Sequence, residues 1–356
     1  MSRETLEHLN THTLIGNTDH RGTAWHYRAD LQADEPNHYP GPIPVDDVLR
    51  RLFAWQAITQ PLAVETPASI ETMTHINTQG EPARWETVPE RQAICRSDNH
   101  HVMGIFKHGY TPHQYDTWLV DTVANILDDD LAISSAGLLR HGAIAWVEVS
   151  VPESITTPEG VEFRPNLLAT TSFDGSIATT FKRTITDVVC DNTREAALRE
   201  HGQEFKIKHT RNSNARLIDA RAALNIVHNL AEDFAAEISA LCATTVTPAA
   251  WGRFLDAYVP RHDPNGQPLS GKALTLADKK RDTLQRLYNH DPRVAPWNRT
   301  AHGVIQATNT YEHHEGTIRG TTRPERNMLR TITGDFAKTD REATATLEKV
   351  LAARVS

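Results

Sequence analysis

The dipeptide Asp174-Gly175, set between two runs of strand-forming residues, constrains this chain more than any other feature. Residues 167–173 and 177–185 flank it, and the pair tolerates the positive φ angles that a tight hairpin needs. Upstream, Ala143, Ala145, Val147 and Val149 alternate with Ile144, Trp146 and Glu148, a period of two that sends successive side chains to opposite faces of a strand. The glycine-ended stretch 138–142 just ahead of that strand suits a hairpin with a bulge. After the second hairpin, Asp191, Asn192 and Glu195 predict a helix start, because Asn192 with Glu195 three residues on has the pattern of a capping box. Two hairpins feeding a helix make an α+β fold: an antiparallel sheet of hairpins covered by helices, with a helical C-terminal region.

The flanking chain sorts around that centre. Residues 1–60 read as an N-terminal arm, polar and broken by Gly and Pro, with Trp25 as its apolar plug, followed by a short helix that starts near Pro44 and carries Val48, Leu49, Leu52 and Phe53. Residues 61–200 form the α+β core, beginning with short alternating pieces, a turn at Gln79-Gly80 and a strand at 93–96. A helical spacing over 113–127 ends at the acidic triplet Asp128, Asp129, Asp130, whose carboxylates diverge as solvated turn charges. Residues 201–260 hold the longest helical pattern: Leu217, Ala220, Leu224, Val227, Ala231, Phe234, Ile238 and Leu241 recur at alternating steps of three and four. That seam suits packing on the sheet, with a protomer contact as the alternative. A short helix follows, capped by Thr247 with Pro248 in its first turn. Residues 261–356 form a helical region that opens on a loop of turn-formers.

The formal net charge of −8 over 356 residues argues against a general polyanion binder, since affinity for phosphates comes from Lys and Arg displacing counterions. Any contact with nucleic acid has to use a local basic patch. Cys95, Cys190 and Cys242 are scattered, without the spacing of a zinc ribbon or a disulfide framework, which fits a reducing compartment. Cys190 at a strand end reads as a buried small residue. No run of about 18 apolar residues is present, so no membrane span is expected.

The chain has 19 histidines, and two groups stand out: His100, His101, His108 and His113, then His302, His313 and His314 beside Glu312 and Glu315. Adjacent histidines on a helix diverge, so one group alone does not make a metal site, and a metal-dependent enzyme requires the two groups to meet. No nucleophile elbow, phosphate loop or dinucleotide fingerprint is present. No catalytic residue, metal ligand or cofactor is therefore assigned. The best basic patch comprises Lys182 and Arg183 on the second hairpin with Lys206, Lys208, Arg211 and Arg216 beyond it. Arg319, Arg323, Arg326 and Arg330 form a second cluster able to hold phosphates or acidic neighbours.

Three blocks, Thr23 to His26 (TAWH), 94–112 (ICRSDNHHVMGIFKHGYTP) and 167–193 (LLATTSFDGSIATTFKRTITDVVCDNT), resemble the phage/plasmid-like protein family, a domain of unknown function. The resemblance spans about residues 23–330, and the stretch from Trp297 to His314 is similar to that family's late aromatic-to-histidine segment. It implies a phage, prophage or plasmid setting in a bacterial cytoplasm and supplies no catalytic residues. The order of hairpins, further strands and a basic helix is also similar, as a fold-level analogy, to the core of single-strand annealing proteins of phage recombination. That similarity implies a homo-oligomer that binds single-stranded DNA along a row of cations, Lys182, Arg183, Lys206, Lys208 and Arg211 among them. The other readings are the metal-dependent enzyme and an interaction protein acting on a host factor.

Overall fold

The structure is a computed structural model. It describes residues 11–17, 35–121, 123, 132–150, 154–187, 192–195, 205–207, 227–320 and 322–353. The strands are β1 (Thr13–Ile15), β2 (Ala57–Pro67), β3 (His75–Ile76), β4 (Pro82–Arg96), β5 (Val102–Lys107), β6 (Ala132–Leu139), β7 (Ile144–Ser150), β8 (Ile155–Thr156), β9 (Glu162–Ser172), β10 (Thr179–Asp187), β11 (Asn192–Glu195) and β12 (Phe205–Ile207). The helices are α1 (Val45–Leu52), α2 (Val227–Ala243), α3 (Pro248–Tyr258), α4 (Gly271–His290), α5 (Ala301–Thr310), α6 (Arg323–Thr333) and α7 (Asp335–Ala352), with π-helical turns at Asp116–Asp121 and Tyr311–Glu315. The fold is α+β, as the sequence predicts.

An eight-stranded antiparallel sheet in the order β1-β6-β7-β9-β10-β11 forms the centre, with β8 paired to β9 and β12 to β10. Both expected hairpins are present. Ile144 to Leu139 closes the first, and Thr180↔Thr170 through Asp187↔Phe163 pairs the second across Asp174-Gly175, where Gly175 has φ +76°. Strands β6, β7 and β9 of this sheet are buried on both faces. One face sets Ala145, Val147, Val149, Leu167, Ala169 and Phe181 against α1 and the Asp116–Asp121 turn. The other sets Leu139, Ile144, Trp146 and Leu168 against Ile332 of α6. Gly137 on β6 pairs with Trp146 on β7, and a Cβ at 137 would collide with the indole carbons and the His12 carbonyl. Only glycine lets the indole lie across β6, where its Nε1–H donates to Ser135 Oγ at 3.1 Å.

A four-stranded sheet, β2-β4-β3 with β5 on β4, joins the first through Arg96. That guanidinium lies 4.0 Å over the Trp55 ring, donates to the His141 carbonyl at 3.0 Å and pairs with Asp98. Where short pieces were expected, β2 and β4 are long strands of 11 and 15 residues, a bulge near Leu62 absorbing the misfit around Pro89. From Ile58 to Arg91 the only buried residue is Ala83, so this hairpin is an arm standing off the core.

The helices build a second core. Thr247 and Thr300 accept hydrogen bonds from the Ala250 and Gly303 amides and so cap α3 and α5. Trp251, Phe254, Leu284, Leu287, Val304, Ile305 and Leu347 pack together beneath those caps. All ten residues of α5 are buried. The heptad seam does pack on the sheet where it is described: Phe234 of α2 meets Phe163 of β9, ring centroids 4.8 Å apart, while residues 217–226 lie outside the described residues.

A second local expectation is overturned. Asn192–Glu195 is not a helix start but strand β11, with Asp187↔Asn192 through Thr184↔Glu195 in register. The open edge of β10 offers these residues a ladder of backbone hydrogen bonds, which outweighs a capping pattern worth about 1 kcal/mol. Trp25 and the Asp128–Asp130 triplet lie outside the described residues.

Candidate anion-binding site

Arg323, Arg326 and Arg330 recur at steps of three and four and therefore share one face of α6. Thr322 starts that helix by accepting the Glu325 amide, with Pro324 in the first turn. Opposite this face the chain runs through the Tyr311–Glu315 turn, where the Gly316 amide reaches back to the Tyr311 carbonyl at 2.8 Å. The extra residue of a π turn re-aims side chains, and such turns recur at functional sites. Here it brings Glu312 and the last carbonyls of the turn under the arginines.

Glu312 is the hub. Its Oε1 accepts from Lys280 Nζ at 3.2 Å, its Oε2 accepts from Arg330 Nη1 at 2.9 Å, and Arg326 Nη2 lies 3.7 Å from the same oxygen. Arg326 also donates to the Glu312 carbonyl at 3.0 Å, and Arg323 donates to the carbonyls of His313 and Gly316 at 3.1 and 3.2 Å. Lys280 sits over two rings, 5.0 Å from the Tyr258 centroid and 4.9 Å from that of Tyr311, while Arg330 lies 4.4 Å over Phe336. Three cations thus surround one carboxylate, and Arg323 holds the carbonyls beside it.

The surplus positive charge acts on the site itself. Burial opposes the charge on Glu312, yet Lys280 and Arg330 more than offset it, and the carboxyl pKa is lowered. For Arg326, burial and then the neighbouring Arg330 and Arg323 push the pKa down, with Glu312 acting the other way. Buried His313, stacked 3.7 Å from Phe336, is held well below the usual histidine range by burial, by His314 and by the same arginines. The side chains remain reachable, Lys280 being 27 % exposed, Arg326 19 % and Arg330 17 %. A guanidinium has five N–H donors in a planar fork, so Arg326 and Arg330 retain donors beyond those already engaged. A site of this kind suits a second anion, a phosphate or a carboxylate.

The other sequence-predicted residues are placed differently. Lys182 is 3 % exposed, and its Nζ donates to the Thr331 and Ile332 carbonyls at 2.5 and 2.8 Å, so it holds the end of α6 and does not face solvent. Because helices cover both faces of the sheet, the side of β10 that alternation leaves polar is interior. Arg183 lies opposite Leu167 in β10 and Lys206 opposite Thr180 in β12, their side chains being outside what is described. Lys208, Arg211 and Arg216 lie outside the described residues, as does Cys190. Arg319 is exposed and precedes α6. The histidine groups stay apart: His113 stacks 3.6 Å from Trp118 and bonds Thr179, while His302 meets the edge of Trp297. Among the described residues no three of His, Cys, Asp or Glu are placed to hold a metal ion. Lys280 and Glu312 are the members that sequence spacing does not select, since α4 and the π turn meet only in three dimensions.

The family profile described as "Domain of unknown function (DUF932)" matches residues 102–333. The chain belongs to the DUF932 family. The DUF932 region opens at β5 and closes at the last residue of α6, so Lys280, Glu312, Arg323, Arg326 and Arg330 all fall inside it. The arm from β2 to β4 and the helix α7 lie outside it. No curated protein and no solved structure matches the chain. Among the described residues no helix is long and apolar enough to cross a membrane.

Proposed function

We propose that this DUF932 protein binds nucleic acid, with the Lys280, Arg323, Arg326 and Arg330 cluster as its phosphate-contacting surface. One observation carries the reading: three partly accessible cations, Lys280, Arg326 and Arg330, share the Glu312 carboxylate, with Arg323 on the adjoining carbonyls, in a chain whose formal net charge is −8. An acidic protein that concentrates unneutralised arginine in one place has a local anion site, and planar guanidinium forks match phosphate oxygens. The similarity of its hairpin order to single-strand annealing cores, together with the phage/plasmid resemblance, directs the proposal to single-stranded DNA. Recombination or annealing by an oligomer is the corresponding activity.

The test is fluorescence anisotropy of a labelled single-stranded oligonucleotide over a series of salt concentrations. Each phosphate engaged contributes about −0.7 to the slope of log K against log salt for single strands. Arg323→Gln with Arg326→Gln is expected to flatten the slope by roughly 1.4 while the fold is retained by circular dichroism. Absence of binding at low salt, or an unchanged slope in that folded double variant, would refute the assignment. A duplex bound as tightly as the single strand would remove the annealing part alone.

A further inference from the structure

Eight large apolar side chains are strongly exposed among the described residues, and their distribution is uneven. Val64, Ile70, Met73, Ile76 and Trp85 lie on the β2–β4 arm, Val102 and Ile105 on the adjoining β5, and Leu276 alone on α4. Isolated exposed apolar residues are ordinary, but a cluster on one projecting element marks an interaction surface. Trp85 is 60 % exposed, with one face backed by His75 at 5.1 Å and the His75 Nε2 held by Glu65 at 2.7 Å. The ring is thus fixed in place with its other face open.

The arm is also acidic. From 58 to 91 it holds Glu65, Glu71, Glu81, Glu86 and Glu90 against Arg84 and Arg91, five negative and two positive charges. Its outer strand β2 contains Pro61 and Pro67, which lack the N–H needed to extend a sheet. Contact through that edge therefore relies on side chains and not on strand addition. The fitting partner is apolar at its centre and basic around it.

This chain has such a surface. Leu276, 54 % exposed, sits on α4 with Lys272 four residues before it and Lys279 three residues after, all three exposed and on one side of the helix. We infer that the arm of one copy docks on the Lys272, Leu276, Lys279 face of α4 in a second copy, Trp85 covering Leu276 and the arm glutamates meeting the lysines. The two patches differ, so the contact is heterologous and propagates head to tail into a ring or an open array. The inference gives a surface to the self-association proposed above and is independent of DNA contact; its test uses no nucleic acid.

Sedimentation velocity and light scattering of the full chain over a concentration series provide the test. The protein is expected to exceed its monomer mass of 39.8 kDa as concentration rises, and to dissociate with added salt. Trp85→Ala and Leu276→Glu are each expected to weaken association by about 30-fold or more, as central aromatic anchors do. Both positions are exposed, and unchanged melting curves show that the variants are folded. Mixing the two variants decides the geometry: each retains the half that the other lacks, so together they form a one-to-one dimer that cannot extend. A monomer at every concentration overturns the inference, as does association that survives Leu276→Glu, or two folded variants that stay monomeric when mixed. A failure of DNA binding, by contrast, leaves this result untouched.

Discussion

Replacing Lys182 by methionine separates a structural role from a phosphate contact. The substitution keeps the buried stem and removes the ammonium, so no large cavity forms. What is lost is the pair of hydrogen bonds from Nζ to the Thr331 and Ile332 carbonyls at the end of α6. Hydrogen bonds to a charged group each contribute roughly 1.5–3 kcal/mol net, and a cation at a helix C-terminus adds about 0.3–1 kcal/mol. The Thr331 carbonyl also receives the Gly334 amide at 3.3 Å, which lowers the loss there. A destabilisation of about 3 kcal/mol follows, or a fall in Tm of about 6–12 °C at roughly 2–4 °C per kcal/mol for a chain of this size. Thermal unfolding by circular dichroism measures the total, and hydrogen exchange at 328–334 localises it. A change under about 0.5 kcal/mol, the range of ordinary surface substitutions, would refute the assignment of Lys182 to the helix end. So would a loss of stability with no faster exchange in α6. The salt dependence of oligonucleotide binding is expected to stay as in the parent protein.

Glu312→Gln removes the one carboxylate among Lys280, Arg326 and Arg330 and is expected to cost roughly 2–4 kcal/mol at pH 7, read by urea unfolding. Because its folded pKa is lowered from 4.5, that contribution is present above this value and lost as pH falls through the folded value, so the gap between parent and variant closes in acid. Gly137→Ala forces a methyl into the Trp146 indole and is expected to destabilise by about 1–3 kcal/mol, with an altered near-ultraviolet tryptophan signal. Burial, and then Glu159, push the Cys242 thiol up to about 11, and burial raises Cys95 as well. In a Cys190→Ser background, Cys242 is expected to react with a thiol reagent at pH 8 about 100-fold more slowly than an unhindered thiol, in keeping with its small thiolate fraction.

Hairpins and capped helices were legible in the sequence because their signals are local. Asp174-Gly175 sets a turn by itself, and Thr247 with Pro248 starts α3 from adjacent residues. What escaped depends on partners far along the chain. Asn192 and Glu195 have a helix-start pattern that β10 overrides by offering an edge. Lys182 reads as an outward cation until Thr331 and Ile332, about 150 positions away, close over it. At the candidate site the sequence shows the arginine spacing of α6, which is a periodicity. It does not show Glu312, whose role arises from meeting α4 and α6 together. In sequence the arm breaks into separate short strands because Pro89 and the surplus of residues near it interrupt the alternation, and only the bulged pairing with β2 reveals one continuous strand.

The enclosure of α5 has a consequence for synthesis. Val304 and Ile305 share their core with Ala343, Leu347 and Val350 of α7, so this helix has no complete environment until residue 352 has left the ribosome. A ten-residue segment is too short to hold helical structure alone in water. Chains interrupted before Asp335 would leave that core open to chaperones and proteases.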